Sequence, residues 1–261
     1  MGGSIVRAAL DVVFPRRCVG CERGRWPFCP DCAATVIPLG PPWCERCGSP
    51  AVLSVERCAD CPSEPIAGSR SPFLYRGPVR RAIHRLKYAG WRSAGDALSA
   101  AMAVADLPAI EIITWVPLSR RRLGERGYDQ ARVLAEGLAR RTGRTCVPML
   151  RRVVHTSPQA KRDAHQRKTA MRGVFTLSSR SRRTAMPSRV LLVDDVLTSG
   201  ATAEACARVL RGAGVREVHV ATAARALQLP SDLLALRQAP ALAYPHVGPR
   251  PGLWLPGDHP R

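Results

Sequence analysis

Aromatic residues are scarce in this chain: Phe, Tyr and Trp together make up 5% of 261 residues. The 155–172 stretch runs instead to basic residues and alanine, and the C-terminal tail to proline, leucine and alanine, so they offer few faces for stacking and no recognisable base pocket. Acids are also few. Twenty Asp and Glu face forty Lys and Arg, a formal charge of +20. Such a surface is either simply solvated or matched to a phosphate-rich partner: a nucleotide, a phosphosugar or nucleic acid. No run approaches the roughly 18 uncharged apolar residues that cross a bilayer, which excludes a membrane-spanning helix. In the N-terminal "MGGSIVRAALDVVFPRRC", Arg7 and Asp11 interrupt the apolar run, so it makes a poor export signal. Ile5, Ala8, Ala9, Val12 and Val13 share one helical face there, as in a short docking helix. The expected setting is soluble and cytoplasmic. Neither GxxxxGK[ST] nor GxGxxG occurs, which excludes the P-loop and the dinucleotide fingerprint.

Cysteine, by contrast, is concentrated. Four CxxC pairs occupy the first quarter: Cys18/Cys21, Cys29/Cys32, Cys44/Cys47 and Cys58/Cys61. Two thiolates two residues apart grip one ion from a tight turn, and two such turns complete a tetrahedral all-sulfur shell suited to zinc. Eight thiolates hold two structural Zn²⁺ with no open coordination position. Sequential pairing puts Cys18, Cys21, Cys29 and Cys32 in one site and Cys44, Cys47, Cys58 and Cys61 in the other; interleaving is the alternative. Cys146 and Cys206 stand apart in apolar surroundings and read as core residues.

Composition divides the chain into residues 1–66, an N-terminal helix and double zinc ribbon; 67–229, an α/β domain; and 230–261, a proline-rich tail. Within the middle part "SPFLYRG" reads as a strand. "PVRRAIHRLKYAGWRSAGDALSAAMAVA" reads as a helix or helix pair with Val79, Ile83 and Leu86 inward. "IEIITWVP" is a buried strand and "LSRRRLGERGY" a basic loop. Asp129 caps a helix that Gly143 stops, with Val133, Leu134 and Leu138 inward. "TCVPML", "GVFTL", "RVLLVDD" and "EVHVATAARAL" are further strands. Apolar strands alternating with helices imply an α/β fold: a parallel sheet with helices on both faces.

The stretch "RVLLVDDVLTSGATAEACARVLRGAG" carries the chemistry. Asp194 and Asp195 sit at the carboxyl end of an apolar strand, where open α/β sheets bind ligands. Thr198, Ser199, Gly200, Ala201 and Thr202 then lead into a helix whose Ala203, Cys206, Ala207 and Leu210 form the inner stripe. Free amides at a helix N-terminus, with hydroxyls and a glycine beside them, cradle phosphate. A sugar 5-phosphate fits, phosphate on the helix and ring hydroxyls on the carboxylates.

"VLLVDDVLTSGAT", Val190 to Thr202, resembles the phosphoribosyl pyrophosphate (PRPP) motif of type I phosphoribosyltransferases. The resemblance implies that Asp194 and Asp195 hold the ribose hydroxyls, that Thr198 to Thr202 hold the 5-phosphate, and that Mg²⁺ accompanies PRPP. The order of cysteine knuckles, "IHRLKYAG", "VPLSRRRLGERGYDQA", a basic loop and the PRPP motif is similar to the ComF family, which includes GntX-type proteins. That likeness implies pyrophosphate contacts from Ser119 and Arg120. It also implies a mobile hood over residues 155–172, with Gln159 and Arg167 at family positions. Arg120, with Arg162 or Arg167 of the hood, would stabilise the leaving pyrophosphate, while Asp194 and Asp195 support the ring. Two departures are Asp129, where the family often has Asn, and Ala170, where an Asn often follows the hood arginine. The ComF likeness further implies a second role, handling single-stranded DNA beside an uptake machinery. Arg80, Arg81, Arg85, Lys87 and Arg92 would follow its backbone, and Tyr75, Tyr88 and Trp91 would serve as stacking faces or core.

Overall fold

The centre of the fold is a strand buried from both sides. A computed structural model describes residues 17–51, 53–59, 61, 65–153, 173–183 and 185–227. The N-terminal helix, the hood with Gln159, Arg162 and Arg167, and the proline-rich tail lie outside the described residues. Strands are β1 (Gly68–Arg70), β2 (Phe73–Leu74), β3 (Ile112–Trp115), β4 (Thr145–Cys146), β5 (Leu150–Arg152), β6 (Phe175–Leu177), β7 (Arg189–Leu197) and β8 (Glu217–Arg225). Helices are α1 (Pro30–Ala33), α2 (Gly77–Tyr88), α3 (Arg92–Ala103), α4 (Arg120–Arg126), α5 (Gln130–Thr142) and α6 (Ala201–Gly212).

The sheet runs β1-β8-β7-β3-β4, with every pair parallel and β2 joining β8 beyond β1. In β7 the side chains alternate between two cores. Leu191 and Val193 pack with α2, α3 and α5, whereas Val190 and Leu192 pack with α6 and the β5–β6 hairpin. Each fully buried Leu or Val contributes about 1.5–3 kcal/mol. An unalternating apolar run is what a strand covered on both faces requires.

Gly68–Arg70 adds an edge strand beside β8. Two local expectations change. "TCVPML" is not one strand, for only Thr145 and Cys146 join the sheet. Pro148 has no N–H to continue the ladder, and the chain leaves to pair Leu150–Arg152 antiparallel with Phe175–Leu177. "GVFTL" therefore lies outside the main sheet. The basic loop contains a helix, α4, none of whose residues is buried. It has no apolar stripe to announce it. Its signal lies in its ends, where the Ser119 hydroxyl accepts from Arg122 N–H and Gly127 takes φ 73°.

Candidate functional site

The carboxyl ends of β3 and β7 open side by side, and three carboxylates gather there: Asp129, Asp194 and Asp195. Adjacent residues of a strand point to opposite faces, so the two acids of β7 diverge. Asp195 turns toward α2 and α5. Its Oδ1 takes Lys87 Nζ at 2.7 Å, its Oδ2 takes the Gln130 amide at 2.9 Å, and it is 4% exposed. Asp194 turns toward α6, where its charge acts on the Cys206 thiol, and stays half-buried. Desolvation, and then Asp195 beside it, push the Asp194 carboxyl up to about 8. The N–H of Asp195, donating to Asp194 Oδ1 at 2.8 Å, and Lys87 pull the other way.

The two family-like segments "LKY" and "RGYDQ" are locked together at this point. The Tyr128 hydroxyl donates to the Leu86 carbonyl, and Arg126 lies 4.8 Å over the Tyr88 ring. Arg126 Nη1 also donates to Gln130 Oε1 at 2.7 Å, which fixes the Gln130 amide toward Asp195. Asp129 caps α5 as its position in sequence suggests. Its Oδ1 accepts from Ala131 and Arg132 N–H and its Oδ2 from Leu118 N–H. Burial pushes its carboxyl up, against those three donors. Asp129 thereby ties the start of α5 to the segment after β3 that carries Ser119 and Arg120. Ser119 is buried and Arg120 exposed.

At the other side of the cleft, Gly200 takes φ 76° and no side chain caps α6. The first helical bond runs from Glu204 N–H to the Gly200 carbonyl at 2.8 Å. The amides of the first turn face outward beside Ser199 and Thr202, both half-buried, and Thr198 is exposed. Anions are stabilised at such a terminus.

The sulfurs settle the cysteine pairing. Cys18, Cys21, Cys29 and Cys32 form one group and Cys44, Cys47, Cys58 and Cys61 another, ligand atoms within each lying inside 4.8 Å of one another. Zinc–sulfur bonds of about 2.3 Å set tetrahedral edges near 3.8 Å. The Cys21–Cys29, Cys47–Cys58 and Cys58–Cys61 sulfurs stand 3.6, 3.5 and 3.7 Å apart. The donor sets fit two structural zinc ions, and pairing is sequential.

Part of the basic stripe on α2 grips the first ribbon. Arg81 Nε donates to the Gly20 carbonyl at 2.5 Å, Arg85 Nη1 to the Val19 carbonyl at 2.6 Å, and Arg85 pairs with Glu22 at 2.7 Å. Lys87 enters the acid cluster. Arg80 stays exposed, and Arg92 sits 5.0 Å over the Tyr128 ring. Of the three aromatics, Tyr88 is 64% exposed, while Tyr75 and Trp91 pack against the core. Gln130 and the role of Lys87 beside Asp195 escape sequence reading. The signal available was their place inside the two quoted segments.

Two family models match: a double zinc ribbon domain over residues 9–62 and a phosphoribosyl transferase domain over residues 130–235. The chain is 31% identical to "Competence protein F" of Haemophilus influenzae, covering 82% of this chain and 98% of that one. "DNA utilization protein YhgH" of Salmonella typhi is 29% identical, over 75% of this chain and 88% of its own. "Competence protein ComFC" of Bacillus subtilis is 26% identical, over 64% and 70% respectively. With paired tetracysteine clusters docked on a parallel sheet of the phosphoribosyltransferase type, the chain belongs to the ComF family.

Proposed function

We propose that the cleft binds PRPP with Mg²⁺ and transfers its phosphoribosyl group to an acceptor with release of pyrophosphate. The observation that carries this reading is the uncapped N-terminus of α6, which follows the half-buried Asp194 of β7 after a short loop of small and hydroxyl residues. The amides of residues 201–203 with Thr198, Ser199 and Thr202 receive the 5-phosphate. Asp194 accepts from a ribose hydroxyl and Asp195 stands behind it. Ser119 and Arg120 face the pyrophosphate, where Arg120 with Arg167 offsets the departing charge. A single carboxylate at the rim suits Mg²⁺, which takes most of its oxygens from phosphates and water. Bound there, the ion would neutralise charge on the pyrophosphate. The sugar carbon gains oxocarbenium character as the pyrophosphate bond breaks, and a fixed ring orientation lowers the barrier to attack.

Calorimetric titration of Mg²⁺ and PRPP into the zinc-loaded chain tests binding. Asp194→Asn should abolish the heat of binding, and an unchanged affinity removes the ligand assignment. Incubation with Mg²⁺, PRPP and a panel of bases and oligonucleotides, read by pyrophosphate release, tests transfer.

A second reading is single-stranded DNA handling, favoured by the exposed Tyr88 with Arg126 over its ring and by the exposed Arg80 on the same helix. The names of the relatives, competence and DNA utilization proteins, point the same way. Single-strand affinity should then fall steeply with salt and weaken in Arg80→Ala and Arg92→Ala. A salt-insensitive gel shift counts against it.

A further inference from the structure

The acid pair of β7 is not a pair of equivalent groups. Both oxygens of Asp195 are committed, Oδ1 to Lys87 of α2 and Oδ2 to Gln130 of α5, whereas Asp194 meets no cation at bonding distance among the described residues. Lys87 and Gln130 are themselves held. The turn bearing Lys87 is tied to the segment leading into α5 by the Tyr128 hydroxyl on the Leu86 carbonyl, and Gln130 Oε1 is anchored by Arg126. We propose that Lys87 and Gln130 are positioning residues that hold Asp195 away from the ligand, so that Asp194 alone presents a carboxylate to the pentose of a sugar phosphate. The proposal rests on the phosphosugar reading and gives the two acids different jobs: Asp194 touches the sugar, and Asp195 anchors the lysine that keeps the cluster charged.

Three carboxylates in a partly dry cleft repel one another, and Lys87 is the cation set among them. Burial opposes the charge of Lys87, yet Asp195 outweighs it and holds the ammonium above its ordinary range. The groups facing this cluster are Lys87 from α2, Tyr75 after β2, Asp129 capping α5 and Cys206 from α6. With the cation gone, Asp195 would swing out to compete for the sugar, and Asp194 would ionise at still higher pH.

The test compares Lys87→Met, which keeps length without charge, with Lys87→Arg, which keeps charge. In the ligand-free chain, carboxyl-carbon NMR should show the Asp194 titration moving up by about one unit or more in Lys87→Met and returning in Lys87→Arg. Calorimetry with Mg²⁺ and PRPP at pH 7.5 should show about tenfold weaker binding in Lys87→Met, again restored by arginine. Gln130→Leu, which keeps the cation, should weaken binding even where Lys87→Met also lowers thermal stability. Unchanged titration and unchanged affinity in Lys87→Met overturn the proposal while the phosphosugar reading stands. Absence of PRPP binding by the parent chain overturns that reading, and the role given to Lys87 falls with it even if the NMR shift is seen.

Discussion

Arg225 reaches from the end of the sheet into the second tetracysteine group. Its Nη1 donates to the Cys47 carbonyl at 2.8 Å, and its Nη2 lies 3.9 Å from the Cys47 sulfur. The same residue pairs with Leu197, the last residue of β7 before the loop into α6. One buried guanidinium thus joins the ribbon to the strand that carries the acids. Four thiolates on one Zn²⁺ leave a formal excess of two negative charges, which an arginine at the sulfur offsets.

Arg225→Met removes that partner. The Ser69 hydroxyl still donates to the Cys47 carbonyl at 2.9 Å, so the loss is about 1–3 kcal/mol rather than a collapse. Zinc at Cys44, Cys47, Cys58 and Cys61 should leave on the order of tenfold faster under a chelator, with the Cys18 group unaffected. Cysteine alkylation followed by peptide mass analysis reads the two groups separately. Equal release from both groups would contradict the assignment.

Elemental analysis should find about two zinc per chain. Stripping them should loosen residues 17–61, because the segment is held mainly by its sulfurs. Limited proteolysis before and after chelation checks this, with new cleavage expected around Cys44 to Cys61. Protection that survives full metal removal would show the ribbons held by packing alone.

The pH dependence follows from Asp194. Its folded-state value is raised to about 8 from an ordinary value of 3.8. The sign is that of a group favouring its protonated form in the fold. Its contribution is fully present below the ordinary carboxylate range and is lost as pH rises toward about 8. Asp194→Asn should therefore raise the melting temperature at pH 8.5 and leave it nearly unchanged at pH 4. PRPP affinity of the parent should move the opposite way, rising up to about tenfold between pH 7 and 9 as the carboxyl ionises. A flat profile in both measurements would show Asp194 already charged at neutral pH.

Helices α3 and α5 approach so closely that a β-carbon on Gly137 would lie 2.4 Å from the Ser99 hydroxyl and 2.8 Å from its β-carbon. Replacing a helical glycine by alanine ordinarily gains roughly 1 kcal/mol. Here overpacking, about 1–3 kcal/mol, outweighs it. Gly137→Ala should lower the denaturation midpoint, and Ser99→Gly should recover part of the loss. Because α5 begins with Gln130, PRPP binding should weaken along with stability. A more stable Gly137→Ala would mean the helices can part without cost.

Much of this molecule is legible along the chain. The helix from Gln130 is announced by Asp129 and ended by Gly143, which takes φ 64° as a left-handed cap. Val79, Ile83 and Leu86 are fully buried, as their spacing demands. The unit from Val190 to Thr202 is visible as a strand, a run of small hydroxyl residues and a helix start. Helix α4 was harder to see, since it buries nothing, and the hairpin of β5 and β6 is a pairing across residues 153–174 that no local pattern specifies.

Local chemistry determined by the sequence alone includes the four CxxC turns, the caps, the apolar central strand and the acids at its end. All of these are properties of a few neighbouring residues and of backbone periodicity. The tertiary structure decided which sulfurs cluster together, which arginines serve the ribbons, and which acid of the pair meets Lys87 and Gln130. Lys87 meets Asp195 from a different helix, Gln130 does so across 65 residues, and Arg225 finds Cys47 across 178. A side chain's charge is written at its own position, but its partner is chosen by how the sheet and helices pack.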